Sequence, residues 1–140
     1  MENTQISPLV VSLKKQNFGL IIMLVLELLL GVAIGIFAKF PETGTKEEFW
    51  QYAMTQPTVI GHIILAVLII LAGALFAWKA YQSKESLWVK VSLVGFLALL
   101  VADGSGSQFI ATQSDIFSHI MSLGFLVAFA SYGVAWYKTK

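Results

Sequence analysis

The sequence predicts an all-α integral membrane protein: a four-transmembrane-helix, up-down-up-down bundle that forms one domain over residues 1–140. Hydrophobic residues make up 57% of the chain, and the mean hydropathy is +0.78. That composition is too apolar for an ordinary soluble domain. A membrane-spanning helix needs about 20 largely apolar residues. Four stretches approach or exceed this length, at 18–38, 58–81, 87–102 and 116–137.

The third stretch is the shortest because it runs into Asp103-Gly104-Ser105-Gly106-Ser107. We expect Asp103 to cap and turn a helix end at the outer face. A distorted continuation through Phe109 and Ile110 is the alternative, since irregular backbone is tolerated at membrane depth where it is buried in protein or lines a wet cavity. The first stretch is too long for a cleaved signal sequence, so we expect it to stay as an anchor.

The longest connection, 39–57, is predicted to hold a short helix on the outer surface. Thr45, with Glu48 three residues later, has the spacing of a capping box. The connection 82–86 is short, so it favours close packing of the two helices that it joins.

The lysines predict the orientation of the bundle, because cytoplasmic loops are rich in positive charge. Only Lys39 and Lys46 fall on one side of the predicted spans. The other seven fall on the opposite side: Lys14, Lys15, Lys79, Lys84, Lys90, Lys138 and Lys140. Both termini are therefore expected in the cytoplasm, in a multi-pass protein of a prokaryotic plasma membrane.

The composition also excludes several functions. The chain has no cysteine, which removes disulfides, thiolate metal sites, iron–sulfur clusters and c-type haem attachment. Its net charge is +1, and no basic patch lies outside the membrane flanks, so we expect no nucleic-acid partner. The expected surroundings are membrane lipid.

His62 and His119, the only histidines, occupy matching places in the second and fourth stretches. In an up-down-up-down bundle these two helices run in the same direction, so both imidazoles lie at one depth. An ionisable group inside the membrane is a functional-site hypothesis by default. The face that His119 shares is expected to point inward, with Ser122, Leu123, Leu126, Ala130 and Gly133.

Haem b fits this pair, because it asks the protein for one or two axial ligands. The alternative is that each histidine hydrogen-bonds to a neighbouring helix. Zinc is a weaker interpretation, since it wants three or four ligands and only Asp103 or Asp115 could join the pair. Asp115, four residues before His119, is expected to cap the fourth helix. The alternative is a role as acid or base beside the haem, so Asp115 and Asp103 are, with Glu27, candidate proton or polar sites.

Glu27 lies in the middle of the first stretch. An unpaired charge in lipid is costly, so this carboxyl is expected to be neutral or hydrogen-bonded. It indicates either a proton relay or quinone contact, or a link between helices. Gly31 and Gly35 form a GxxxG pattern that permits close helix contact, within the bundle or in a homodimer.

Glu27-Leu28-Leu29-Leu30-Gly31-Val32, an outer loop, and then His62 followed by Ala66 resemble the helix–loop–helix unit of the haem A synthase family. The resemblance covers roughly residues 18–137 and one four-helix half of a full-length member; half-size members exist. It implies an axial histidine on the second and fourth helices, here His62 and His119.

The chain departs from that family at the catalytic position. The family's catalytic half places a Glu three residues before the second-helix histidine, where this chain has Val59; the fourth helix has Ile116 at the corresponding place. The cysteine pair that some members carry is also missing. The resemblance therefore implies haem binding more firmly than oxidation of a haem methyl group.

Three functions follow as expectations. The first is a bis-histidine b-type haem protein that acts in electron transfer or haem handling, with a quinone or a membrane redox partner. The second is a haem A synthase-like enzyme. The third is a haem-free transport or assembly subunit that uses Glu27.

Overall fold

A computed structural model describes residues 7–41 and 45–139. These residues form five α-helices and no strand: α1 (Pro8–Phe37), α2 (Lys46–Ala53), α3 (Pro57–Ser83), α4 (Ser86–Thr112) and α5 (Asp115–Lys138). The four long helices are each apolar and long enough to cross a membrane. The prediction of an all-helical protein with four candidate spans is confirmed.

The short helix α2 begins at the predicted capping box. The Glu48 backbone N–H donates to Thr45 Oγ1 at 3.3 Å, and the Thr45 N–H donates to Glu48 Oε2 at 2.8 Å. These bonds satisfy donors that a helix start leaves without intrahelical partners. Lys39 N–H also donates to the Tyr52 hydroxyl at 3.1 Å, which ties the chain after α1 to this helix.

The predicted helix end at Asp103 is wrong, because α4 runs unbroken through the glycine–serine segment to Thr112. Glycine and serine disfavour a helix by at most about 1 kcal/mol each, and tertiary packing routinely overrides that preference. Here Ser105 is buried, and a Cβ at Gly106 would lie 3.2 Å from Met121 Sδ. The helix instead ends at Gln113, whose φ of 54° is left-handed.

The predicted cap at Asp115 is also wrong, by one position. Ser114 is the N-cap residue and Asp115 is the first residue of α5, with no side-chain cap hydrogen bond at this start. The carboxylate still lies in the first turn, where negative charge is favourable.

The four long helices pack as a ring in which α1 contacts α3 and α5, and α4 contacts α3 and α5. The closest seam joins α4 and α5: a Cβ at Gly124 would lie 2.9 Å from the Ala98 carbonyl oxygen. Tyr132 and Phe76 are fully buried at the centre, with ring centroids 5.7 Å apart.

Candidate functional site

A cavity of about 610 Å³ lies inside the ring, beside α2, and is lined by residues of all five helices. We call it the central cavity. Most of its wall is apolar. The polar side chains on the wall are Glu27, His62, Asp103, Ser107, Ser118 and Ser122. Apolar pockets with a few convergent polar groups are typical of sites for small molecules and cofactors.

Glu27 and His62 meet on this wall, across the contact between α1 and α3. His62 Nδ1 lies 3.0 Å from Glu27 Oε1, and the side chains are 26% and 8% exposed respectively. The two atoms are in contact, although their geometry falls short of a well-directed hydrogen bond. The pair links two residues that the sequence had marked separately.

The spacing of α1 explains why Glu27 points inward. Its buried residues are Leu13, Asn17, Leu20, Leu24 and Glu27, at alternating steps of four and three. That spacing keeps side chains on one face of a helix. Glu27 therefore occupies the last buried position of an otherwise largely apolar stripe.

Small residues leave room around the imidazole. A Cβ added at Gly31, one turn beyond Glu27, would lie 3.9 Å from His62 Cε1. Ala66 lines the cavity one turn further along α3. Small side chains thus surround the imidazole on this face.

One oxygen of the carboxyl is left without a protein partner. Glu27 Oε2 is buried and has no hydrogen bond among the described residues. A buried polar atom without a partner costs about 1–3 kcal/mol, so such an atom calls for an explanation. Glu27 lines the cavity, so this oxygen is a candidate acceptor for a bound molecule.

His119 lies apart from this pair. Its side chain is exposed, its Nδ1 is 2.6 Å from the Asp115 carbonyl oxygen, and it does not line the central cavity. However, Ser122 and Leu126, three and seven residues further along the same helix face, do line it. His119 thus shares a helix face with wall residues, but its imidazole is exposed and is not part of the wall.

Of the inward face predicted for α5, Ser122 and Leu126 line the central cavity, but none of its five residues is buried. Leu123 and Leu126 are exposed, and the buried residues of α5 are Gly124, Ala128, Tyr132 and Ala135. Both sides of this helix are apolar, so hydrophobicity alone does not distinguish the packed side from the lipid side. Small residues allow closer approach of helices, and they mark the packed side here.

The two aspartates are separated by the structure. Asp103 lines the central cavity from the middle of α4, while Asp115 lies outside it. Within residues 7–41 and 45–139, no group of three or more acidic or histidine side chains could hold a metal ion. A haem iron needs only one or two protein ligands, fewer than a metal ion held by side chains alone, because the porphyrin supplies four nitrogens.

Sequence reasoning missed the aromatic cover of the cavity. Phe49 and Trp50 of α2 line it, and Phe49 is buried. Its ring stacks on Phe40 at a centroid distance of 4.8 Å and meets the edge of Phe109 at 6.1 Å. Met121 and Phe125 of α5 complete the wall. Met121 is three residues after Ser118, and Phe125 is four residues after Met121. That helical spacing was the signal that could have identified Met121 and Phe125.

For a b-type haem, the cavity offers one axial ligand in place. The imidazole of His62 lines the apolar cavity and contacts a carboxylate through Nδ1, whereas that of His119 does not line it. Histidine ligands usually donate their other ring N–H to a carboxylate or carbonyl, and Glu27 is the carboxylate in reach of His62.

Comparisons of the chain with protein-family models, with curated proteins and with solved structures found no match. The resemblance to the haem A synthase family therefore stays a prediction from the sequence.

Proposed function

We propose that the protein is an integral membrane haem protein that holds one haem b in the central cavity and acts in electron transfer or haem handling. The observation that carries this proposal is the contact between His62 and Glu27 on the wall of an apolar cavity. A bound haem would supply a one-electron redox centre there.

The chain's own residues have distinct roles in this proposal. Glu27 Oε1 lies 3.0 Å from His62 Nδ1. A small turn of the ring would let Nδ1–H donate to it, which would leave Nε2 with the lone pair that an iron ligand needs. The apolar wall excludes water and favours an apolar macrocycle over a hydrated ion.

His119 is the proposed second ligand. Its ring rests against the Asp115 carbonyl, on the helix face that continues into the cavity wall at Ser122 and Leu126. A rotamer change that releases this carbonyl would direct the imidazole toward the cavity. With both axial positions filled by histidine, dioxygen has no free site on the iron, which favours electron transfer.

We also propose the up-down-up-down order with both termini in the cytoplasm of a prokaryotic cell. Contacts between helices pair early residues of one with late residues of the other, as in Phe18 with Trp136 and Gln16 with Ala72. The lysine distribution supports the assignment of sides.

A hemin titration of the detergent-purified protein tests the ligands. We expect His62→Ala to abolish the low-spin Soret spectrum and His119→Ala to convert it to a five-coordinate spectrum. Met121→Leu is the control on the same wall and should leave the spectrum unchanged. If His62→Ala binds hemin like the unmodified protein, the proposed site is wrong.

A haem-free function is the second candidate, favoured by the unpartnered Glu27 Oε2. Such a transport or assembly subunit would bind a lipid-soluble molecule whose polar end donates to this oxygen, as a hydroquinone does. Colourless protein made with ample haem, together with hydroquinone binding that Glu27→Gln removes, would support it.

Oxidation of a haem methyl group is not favoured by the site. Val59, which stands where the haem A synthase family that the sequence resembles has its catalytic Glu, is buried and lines the cavity with an aliphatic side chain. It has no proton to give or take. Conversion of haem O to haem A by the purified protein would reverse this conclusion.

A further inference from the structure

We infer that the central cavity opens sideways to the lipid between α1 and α5, and that its ligand enters from the bilayer. This inference rests on the shape of the cavity and goes beyond the proposed function, because it holds for haem or for any other lipid-soluble ligand. The ligand would come from the bilayer and not from the aqueous phase.

The seam between α1 and α5 is closed in one half of the bundle. Asn17 Nδ2 donates to the Tyr132 carbonyl oxygen at 3.0 Å, and Phe18 stacks on Trp136 at a centroid distance of 4.9 Å. These contacts lie near the start of α1 and the end of α5. They fix the two helices together there.

The same two helices present exposed cavity wall in the other half. On α1, Leu28 and Val32 line the cavity and are 49% and 52% exposed. On α5, Leu126 lines it and is 57% exposed, and Ser122 is exposed as well. Residues that belong to a cavity wall and are also exposed mark where it opens. Val67 of α3, Trp50 of α2, and Asp103 and Ser107 of α4 are exposed wall residues too. The opening between α1 and α5 differs from these in that three of its four exposed wall residues are aliphatic.

We call the opening between α1 and α5, lined by Leu28, Val32, Ser122 and Leu126, the gap. Helix geometry directs these four side chains toward it. Glu27 faces α3 through His62, and Leu28, about 100° further around α1, faces away from α3. On α5, Gly124 contacts Ala98 of α4, so Ser122 and Leu126 face the other way. The ring order places α1 and α5 next to each other on these free sides.

An aromatic side chain covers part of the cavity beside α2. Phe49 of α2 is 3% exposed and is wedged between Phe40 and Phe109. The gap is lined chiefly by Leu28, Val32 and Leu126, and it has no charged side chain among these rim residues. A charged, water-borne ligand would be desolvated on this path, whereas an apolar one would not. The ligand class is a lipophile whose polar end reaches Glu27 and His62.

Photolabelling with a small alkyl diazirine dissolved in lipid vesicles tests the opening without haem. Its carbene inserts into the residue that it meets, and mass spectrometry locates the adduct. We expect an adduct on Glu27, although this side chain is only 8% exposed. Adducts confined to outward residues such as Leu29, with none on Glu27, would overturn the inference.

Matched tryptophan variants show whether the gap is the route. Leu126→Trp and, independently, Leu28→Trp should fill the gap and reduce Glu27 labelling about tenfold, as expected when access is obstructed. Leu123→Trp and Leu29→Trp are the controls, since both leucines are exposed neighbours that do not line the cavity. Circular dichroism checks that each variant is folded. Equal labelling in folded gap and control variants would overturn the inference.

Hemin transfer from vesicles separates this inference from the proposed function. If the unmodified protein takes up hemin, the gap variants should slow the uptake about tenfold while the controls stay within about twofold. If hemin does not bind but Glu27 is labelled through the gap, the haem proposal fails and the lateral opening stands. Uptake at the unmodified rate in the gap variants would contradict the opening.

Discussion

At the scale of single residues, the Glu27–His62 contact is the chemical centre of the molecule. A carboxyl buried in an apolar helix is expensive unless something compensates for it. Here one oxygen has the imidazole at 3.0 Å, and the other is buried without a hydrogen bond among the described residues. In the proposed function, Oε1 of Glu27 orients the imidazole. Oε2 still needs a hydrogen-bond donor.

Replacing Glu27 should weaken hemin binding while leaving His62 in place. Loss of a partner that orients a metal-bound histidine typically costs about tenfold to a hundredfold in affinity, and we expect this range for Glu27→Gln and Glu27→Ala. Hemin titration measures it. Glu47→Gln, an exposed acid on α2, is the control and should bind as before. An unchanged affinity in the Glu27 variants would mean that the carboxyl does not position the imidazole.

The sequence identified Glu27, His62 and His119 as ionisable side chains in apolar helices. From the sequence, the free-energy cost of burying each one could be predicted, but not their contacts with one another. The Glu27–His62 contact depends on the register between α1 and α3, which an apolar pattern does not encode. The outward position of His119 depends on which side of α5 packs, and both sides are apolar. Both features depend on how the helices pack against one another, which the local sequence does not determine.

At the scale of the elements, the close contact between α4 and α5 depends on a glycine, Gly124, which has no side chain. The Cβ that an alanine would add at Gly124 lies 2.9 Å from the Ala98 carbonyl oxygen and 3.0 Å from Ala102 N. Backbone atoms cannot rotate away as a side chain does, so the helices would have to separate. Such close approach is the usual role of small residues between membrane helices.

Gly124→Ala should therefore destabilise the bundle by about 1–3 kcal/mol, the usual cost of overpacking. Gly133→Ala, on the same helix, has no described atom within 4 Å of its new Cβ. Its effect should stay below about 1 kcal/mol and favour the helix. Unfolding by sodium dodecyl sulfate in mixed micelles measures both free energies. Equal effects of the two substitutions would contradict the close seam.

The elements themselves were predicted unevenly. The capping box of Thr45 and Glu48 is a local hydrogen-bond pattern, so the sequence predicted α2 correctly. The end of α4 depends on the burial of Ser105 and the contact of Gly106 with Met121, which no local rule contains. Of the GxxxG pair, Gly31 faces His62, while no described atom lies within 4 Å of a Cβ at Gly35. Gly35 thus remains available for the proposed homodimer contact.

At the scale of the whole molecule, composition and hydropathy were sufficient to predict four candidate spans and an all-helical fold. They worked because a spanning segment must satisfy its backbone internally and needs a minimum apolar length. The central cavity was not predictable in the same way, since it depends on how four apolar helices leave space between them.

The proposed topology makes a direct prediction, because the chain has no cysteine of its own. Thr55→Cys, between α2 and α3, should react with a membrane-impermeant thiol reagent in intact cells. Glu85→Cys, between α3 and α4, should react only after permeabilisation. Both positions are exposed. The reverse pattern would mean that both termini lie outside.

The visible absorption spectrum of the protein, purified from cells supplied with ample haem, tests the central claim most directly. The account predicts a red protein with the Soret band of a low-spin, histidine-ligated haem, present at about one haem per chain. A colourless protein that is folded, helical and fully extracted from the membrane would contradict it.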